Sequence, residues 1–244
     1  MLRLSQDAAN FYHKNGYCLF HEPVFSDEKF LVLADIFEEL LIKNPDKRPD
    51  TLDTPHFDEP RLLDFLLAEE VLDLVEPLIG PDIGLWSSHF ICKEPKTGRA
   101  TPWHEDSRYW NGRFDHFTGI VTIWLAIDKV DRENGCMKVI PGGHTGEERE
   151  YRPVDKETNT FSTEIVGVDE SKAVHFELAP NTCSFHDSRM MHAADANTSS
   201  RRRCGYTMRY FSQQMKYNMD HPRAAAFSLW HCRGKNMHNN PVVN

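Results

Sequence analysis

Residues 120–143, IVTIWLAIDKVDRENGCMKVIPGG, show the pattern that decides the fold. An apolar run at 120–127 is followed by the turn-forming letters ENG, a short alternating run at 136–140 and a Pro-Gly-Gly turn. Short runs separated by such turns are typical of the strands of a β-sandwich or barrel. Similar runs occur at residues 85–92, 173–178, 182–185 and 204–211. The sequence therefore predicts a strand-rich core over residues 83–214.

The first 82 residues have a helical pattern instead. Ser26 can cap a helix whose first turn is acidic, which suits the positive N-terminal end of a helix. Apolar residues then recur at helical spacing until Pro45, where this helix should end. A second helical stretch starts near Pro60 and should close within residues 77–81, which contain two prolines and a glycine. These helices would pack on the outside of one sheet.

The domain prediction is one unit over residues 1–244. It has mostly helical support at 1–82, the core at 83–214 and a C-terminal segment at 215–244. No linker rich in glycine, serine or proline divides the chain.

Composition excludes several classes of protein. The chain has 244 residues, 28 basic and 37 acidic, with a net charge of −9, which makes it a poor binder of nucleic-acid phosphates. No apolar run approaches the roughly 20 residues of a membrane helix, and the first residues lack a secretory pattern. Six cysteines stand singly, as is typical of reduced thiols, so we expect a cytoplasmic protein. Disulfides are the less favoured alternative.

The tripeptide His-x-Asp occurs twice, at His56-Phe57-Asp58 and at His104-Glu105-Asp106. Residues i and i+2 of a strand share a face, so this tripeptide can supply two metal ligands from one strand. Two imidazoles and a carboxylate are the ligand set of non-haem Fe(II) oxygenases. The first copy lies in a proline-bounded loop, and we interpret it as solvated. The second lies in the strand-rich region and is the candidate, with Glu105 pointing away from the metal.

The third ligand must come from a distant strand. His192, about 90 residues further on, completes the triad if its strand faces that of His104. His186 is the competing candidate, because it would share a face with His192 along a regular strand. Arg203 follows eleven residues after His192, and a return strand would bring its guanidinium beside the metal. Such a group suits a buried carboxylate.

Four blocks of the sequence resemble one known family. They are WHED with YW after it at 103–110, WLAID leading into ENGCM at 124–137, IPGGH at 140–144, and HAADAN leading to Arg203 at 192–203. In order and spacing the chain resembles the phytanoyl-CoA dioxygenase-like branch of the Fe(II)/2-oxoglutarate oxygenases. The resemblance covers nearly the whole chain. One departure is Ala194, where the family often has a serine that contacts the co-substrate.

The resemblance implies a mainly β fold with flanking helices: a double-stranded β-helix (jelly roll, cupin-like) core with N-terminal helices on one sheet. It implies Fe(II), 2-oxoglutarate and O2 as cofactor and co-substrates, with ascorbate as a helpful reductant. Three sets of site residues carry over. The metal ligands are His104, Asp106 and His192; the 2-oxoglutarate residues are Arg203, Trp124 and His89; the substrate residues are Arg108, Tyr109, Trp110, Arg113 and Phe117.

The function that follows is hydroxylation of an unactivated C–H bond in a small molecule, with release of succinate and CO2. We expect the protein to have no nucleic-acid or membrane partner. Related halogenases lack the carboxylate ligand, so Asp106 argues against halogenation. Desaturation or ring formation on the same scaffold is an alternative, and so is a metal- or ligand-binding jelly roll without turnover. A specialised metabolite or another small organic acid or amine is the favoured substrate. The oligomeric state, monomer or homodimer, stays open.

Overall fold

The computed structural model of the chain describes residues 2–146 and 148–243. The helices are α1 Gln6–Asn15, α2 Asp27–Lys43, α3 Leu63–Leu66, α4 Glu69–Ile79 and α5 Asp106–Tyr109. The strands are β1 Tyr17–Phe20, β2 Leu52–Asp53, β3 Ile83–Lys93, β4 Thr101–His104, β5 Ile120–Ala126, β6 Met137–Val139, β7 Tyr151–Pro153, β8 Thr163–Ile165, β9 Val174–His175, β10 Cys183–Asp187, β11 His192–Ala194, β12 Arg203–Ser212, β13 Leu229–Arg233 and β14 Val242–Val243.

The strands form two main sheets. The larger has the order β1-β10-β5-β12-β3-β13-β14, with β2 also paired to β3, and the smaller has the order β4-β11-β6-β9. All these pairs are antiparallel except β13 with β14, and β7 pairs with β8 in a separate hairpin. Residues from both main sheets line one interior cavity, so the sheets face each other. This open, antiparallel sandwich with flanking helices confirms the predicted jelly-roll class.

Alternation along the strands separates the helical core from the cavity. On β5, Ile123 and Leu125 are buried among the residues of the helices, whereas Trp124 lines the cavity. On β12, Tyr206 packs toward the helices and Arg209 lines the cavity. Successive side chains of a strand point to opposite faces, so one sheet both supports the helices and lines the cavity.

The helix capped by Ser26 forms as predicted. Ser26 Oγ accepts a hydrogen bond from the backbone N–H of Lys29 at 3.3 Å, and α2 ends at Lys43. Asn44 leaves the helical conformation directly before Pro45, because the ring of a proline disfavours a helical residue in front of it.

The second helical stretch is less regular than the sequence suggests. A short 3-10 turn at Pro60–Leu62 and α3 precede α4, and Ala68 between the two α-helices is extended, with φ −66° and ψ 135°. Pro77 lies inside α4, which continues to Ile79. A proline removes one N–H and strains the turn before it, but packing of the buried apolar face of α4 keeps its last turn helical.

The N-terminal segment also supplies strands. β1 pairs with β10 at the edge of the larger sheet, and β2 pairs with β3. No helix in the described part of the chain is long and apolar enough to span a bilayer. All six cysteines are free, and five of them are buried.

Candidate active site

The interior cavity between the sheets has a volume of about 510 Å³. The larger sheet contributes residues of β3, β5, β10 and β12, and the smaller sheet contributes residues of β4, β6 and β11. His104, Asp106 and His192 line this cavity, together with Arg203. The cavity therefore contains the candidate metal ligands and the candidate co-substrate arginine.

Strand pairing brings the two imidazoles together. β4 and β11 are antiparallel, His104 is directly opposite His192, and the centroids of their rings are 3.9 Å apart. Glu105 is extended, with φ −126° and ψ 138°, so Asp106 turns to the same side as His104. Oδ1 of Asp106 lies 3.8 Å from Nε2 of His104. One potential ligand atom from each of the three residues lies within 4.8 Å of the others.

Hydrogen bonds to backbone carbonyls orient both imidazoles so that Nε2 is free to bind a metal. Nδ1 of His104 lies 2.8 Å from the carbonyl of Pro102, and Nδ1 of His192 lies 2.8 Å from the carbonyl of Met190. A ring nitrogen beside a carbonyl must carry the proton, which leaves the lone pair on Nε2. Metal-binding histidines are usually oriented in this way. The donor set of two Nε2 atoms and one carboxylate oxygen fits Fe(II).

The electrostatics of His104 and Asp106 agree with this assignment. Burial lowers the pKa of His104 to about 3, so its imidazole is neutral near pH 7. Burial acts to raise the pKa of Asp106, but the guanidinium of Arg209 and the surrounding histidines more than offset it and hold the pKa at about 2. Neutral imidazole and ionised carboxylate are the forms that bind a metal ion.

His186 occupies a different position from His192. Its strand, β10, belongs to the larger sheet, and the chain turns a corner between Asp187 and His192 to enter the smaller sheet. Nε2 of His186 lies 4.0 Å from Oδ2 of Asp106, and the His186 and His192 rings are 4.8 Å apart. Among the described residues, the three-ligand group contains His192 and not His186.

The first His-x-Asp copy is not the solvated loop that the sequence suggested, and that interpretation is wrong for His56. His56 is buried, its Nδ1 lies 2.7 Å from Oγ of Ser88, and its ring packs against Trp230. Asp58 is exposed. A 3-10 turn at Pro55–Phe57 causes this split, because residues two apart in such a turn point in different directions.

Arg203 starts β12 and is 2% exposed. Its Nε and Nη2 donate to the carbonyl of Gly135 at 3.1 and 2.8 Å, and its Nη1 donates to the carbonyl of Ile91 at 3.4 Å. In the described ranges no carboxylate lies within ion-pair distance of it, and burial lowers its pKa to about 10. A buried cation without an anion is costly, so the cavity provides a place for an anionic ligand.

Trp124 and His89 line the same cavity as Arg203. The guanidinium carbon of Arg203 lies 5.1 Å from the centroid of the Trp124 ring. Gly205 makes room for that ring, because a Cβ at this position would collide with it. Nε2 of His89 lies 3.1 Å from the carbonyl of Asp50.

The predicted substrate residues divide into two groups. Tyr109, Trp110 and Arg113 line the cavity. Arg108 instead places its guanidinium 3.7 Å from the centroid of the Tyr151 ring, outside the cavity. Phe117 also lies outside and packs against an apolar cluster. The helical turn of α5 explains the position of Arg108, since neighbouring residues in a helix point in different directions.

Several cavity residues were missed by the sequence reasoning. Arg209 has its Nε 3.7 Å from Oδ2 of Asp106, and Phe161 packs on both Tyr109 and His104 with ring centroids 4.8 and 4.7 Å apart. The signal for Arg209 was available: it lies six residues after Arg203, so the period of two places both on one face of a strand. No pattern in the sequence points to Phe161, which lies in a loop.

Comparisons with known proteins show the family of this chain. The model of the phytanoyl-CoA dioxygenase family matches residues 12–205. The chain is 30% identical over 223 residues to a probable phytanoyl-CoA dioxygenase of Caenorhabditis elegans, covering 80% of this chain and 71% of that protein. Of the next two curated relatives it spans about half the length.

Solved structures show the same fold. The non-heme monooxygenase ThoJ superimposes with a TM-score of 0.78 at 20% identity, over 97% of this chain and 86% of its own. EvdO2 from Micromonospora carbonacea var. aurantiaca, complexed with 2-oxoglutarate, superimposes with a TM-score of 0.76 at 22% identity, over 90% of this chain and 96% of its own. Together with the family match, these findings confirm the resemblance seen in the sequence. The chain belongs to the phytanoyl-CoA dioxygenase family, and with it to the iron- and 2-oxoglutarate-dependent dioxygenases.

Proposed function

We propose that this protein hydroxylates an unactivated C–H bond of a small organic molecule, using Fe(II), 2-oxoglutarate and O2. One observation carries the proposal. His104, Asp106 and His192 offer ligand atoms within 4.8 Å of one another, inside a cavity that also contains the buried guanidinium of Arg203, which has no carboxylate partner among residues 2–146 and 148–243. Fe(II) bound with 2-oxoglutarate and O2 supplies an oxidant for C–H bonds and releases succinate and CO2.

The residues of the chain would hold the metal by one face. His104 and His192 present Nε2, and Asp106 presents Oδ1. The other carboxylate oxygen of Asp106, Oδ2, faces Arg209 and His186 at 3.7 and 4.0 Å. The positive charge of Arg209 helps to keep the carboxylate of Asp106 ionised, as outer groups do around metal ligands.

Arg203 would bind the distal carboxylate of 2-oxoglutarate. Its guanidinium is held by the two backbone carbonyls, so it is already oriented before the ligand arrives. Trp124 covers one side of it. A guanidinium fixed in this way loses little side-chain entropy when it pairs with a carboxylate.

The walls of the cavity suit a small-molecule substrate. Tyr109, Trp110 and Trp86 are aromatic lining residues, and a volume of about 510 Å³ is in the range of small-molecule sites. We propose a free small molecule, such as an intermediate of specialised metabolism, as the substrate. We also propose that the enzyme acts in the cytoplasm, where its free cysteines would stay reduced.

The test is turnover of 2-oxoglutarate. Purified protein is incubated with Fe(II), ascorbate and 2-oxoglutarate, and succinate is measured with and without candidate substrates. Arg203→Gln should weaken 2-oxoglutarate binding by about tenfold or more, because a charged hydrogen-bonded pair is lost. Arg202→Gln is the matched control, since Arg202 pairs with Asp128 and Glu38 instead. Absence of succinate from iron-loaded protein, with or without substrate, would contradict the proposal.

The product separates hydroxylation from the alternatives. Hydroxylation adds one oxygen atom to the substrate, whereas desaturation or ring formation removes two hydrogens. Mass spectrometry of the reaction mixture distinguishes these outcomes directly.

A further inference from the structure

The cavity has a second group of buried donors besides Arg203. Five arginines and three aspartates line it, although the whole chain carries a net charge of −9. The positive lining is therefore a local property of the cavity and not a consequence of composition. Fe(II) and 2-oxoglutarate carry opposite charges of equal size, so their binding leaves the excess positive charge in place.

Arg113 is the clearest unpaired cation of this lining. It is 4% exposed, and in the part of the chain that the structure describes no carboxylate is hydrogen-bonded to it. Among the described residues its Nη1 is buried without a partner of hydrogen-bond geometry, although the hydroxyl of Tyr217 lies near the guanidinium. The guanidinium carbon lies 4.1 Å from the Phe227 ring centroid and 5.3 Å from the Trp86 ring centroid. Aromatic faces offset part of the cost of burying this charge, but they accept no strong hydrogen bond.

Arg209 is the second cation, nearer the metal ligands. It is 8% exposed, and its Nη1 donates to Oγ of Ser87 at 3.3 Å. Its Nε has no hydrogen-bond partner in the described part of the chain and lies 3.7 Å from Oδ2 of Asp106, beyond hydrogen-bond length. The guanidinium carbon also lies 5.3 Å from the centroid of the Trp110 ring. Arg209 thus lies beside both Asp106 of the candidate metal site and the Trp110 ring.

Two tryptophans join these cations into one patch. The Trp86 and Trp110 rings have centroids 4.9 Å apart, Arg113 lies by Trp86 and Arg209 by Trp110. The indole N–H of Trp86 is also buried, and no described residue accepts a hydrogen bond from it. We call Trp86, Arg113 and Arg209 the donor patch. All three of its unpartnered atoms are donors, so the missing partner is an acceptor.

We propose that the donor patch binds an oxyanion, carboxylate or phosphate, of the primary substrate. The substrate would then be an organic anion, held by this group with its reacting C–H bond toward the three metal ligands. This inference rests on the proposed function, and it selects acids among the small molecules that the sequence left open. Buried donors without acceptors are costly, and an oxyanion in the cavity would satisfy several at once.

The test measures binding with matched eight-carbon probes. Protein loaded with Ni(II) and 2-oxoglutarate is titrated by calorimetry with octanoate, octyl phosphate, octanol and octylamine. We expect one or both anions to bind at least about tenfold tighter than the alcohol and the amine, because each charged hydrogen bond contributes strongly to affinity. A preference between octanoate and octyl phosphate tells which oxyanion the patch takes.

Variants locate the binding. Arg113→Gln should weaken binding of the preferred anion by about tenfold or more and leave octanol binding unchanged. Arg209→Gln should do the same, and its Ni(II) affinity is measured separately because Arg209 lies near Asp106. Arg132→Gln, an exposed arginine paired with Glu177, is the control and should bind the anion as the parent protein does.

The outcomes separate this inference from the proposed function. If the protein binds 2-oxoglutarate but the anions bind no tighter than octanol, if they displace 2-oxoglutarate, or if Arg113→Gln binds them unchanged, the donor patch is not an anion site. If 2-oxoglutarate itself fails to bind the metal-loaded protein, this result contradicts the proposed function, on which the anion site rests.

Discussion

The two His-x-Asp segments have the same spacing and different surroundings. In His104-Glu105-Asp106 the backbone of Glu105 is extended, and both end residues face the cavity. In the segment at 56–58 a 3-10 turn sends His56 into the core and leaves Asp58 in solvent. The spacing alone is therefore no ligand motif; the backbone conformation between the two residues decides whether they share a face.

The partner across each segment differs as well. His104 faces His192 from the neighbouring strand, which supplies a second imidazole. His56 faces Ser88, whose Oγ also accepts a hydrogen bond from the hydroxyl of Tyr206 at 2.9 Å. One histidine completes a cluster of ligands, and the other completes a hydrogen-bonded core. Substitutions in the two segments should accordingly change different properties.

The largest expected effect is that of Asp106→Ala. It removes a metal ligand, and activity should fall more than about 100-fold, since even outer partners of ligands contribute about 10–100-fold. Asp58→Ala is the matched control from the other segment, and its succinate formation should equal that of the parent protein. Equal losses of succinate formation in the two variants would contradict the assigned difference between the two His-x-Asp segments.

His56→Ala should act on stability. It removes a buried ring that packs on Trp230 and bonds Ser88, and such truncations cost about 2–5 kcal/mol of unfolding free energy. Urea denaturation measures the loss. The activity of the remaining folded protein should be unchanged, and a loss of metal binding in this variant would contradict the assigned core role.

Ser88→Ala tests the buried hydrogen bonds that join Ser88 to His56 and Tyr206, with a smaller expected loss of stability. It leaves the hydroxyl of Tyr206 and Nδ1 of His56 without their common partner. Leaving buried polar groups unsatisfied costs about 1–3 kcal/mol, again visible by urea denaturation. A neutral result would mean that the two groups find other partners.

The pH dependence of stability should reflect His56. Burial lowers its pKa from 6.5 to about 3, so below pH 6.5 the unfolded state binds a proton that the folded state does not. His56 then contributes a loss of stability that begins as pH falls through 6.5, at about 1.4 kcal/mol per pH unit, and continues toward pH 3. His56→Gln should reduce the slope of this part of the profile by that amount, while His104, whose pKa burial also lowers to about 3, keeps its own share. An identical slope would show that His56 does not contribute to it.

Local patterns predicted those features that depend on neighbouring residues. The cap at Ser26 and the end of α2 before Pro45 both follow from short-range rules. The interruption of the helix at Ala68 does not follow from such rules, because the apolar pattern on either side of it remains helical. There the packing of two short helices against the sheet overrides local preference.

The sequence by itself determined the jelly-roll class, the order of His104, Asp106, His192 and Arg203, and the family that this order indicates. The tertiary structure alone decided that His56 is a core residue and that His186 lies in the other sheet. It also decided that Arg113 lies by Trp86 and Arg209 by Trp110, each with one buried nitrogen that has no acceptor among the described residues. The physical reason is that burial and hydrogen bonding depend on which distant strands face each other, and a residue's neighbours in the sequence do not specify this.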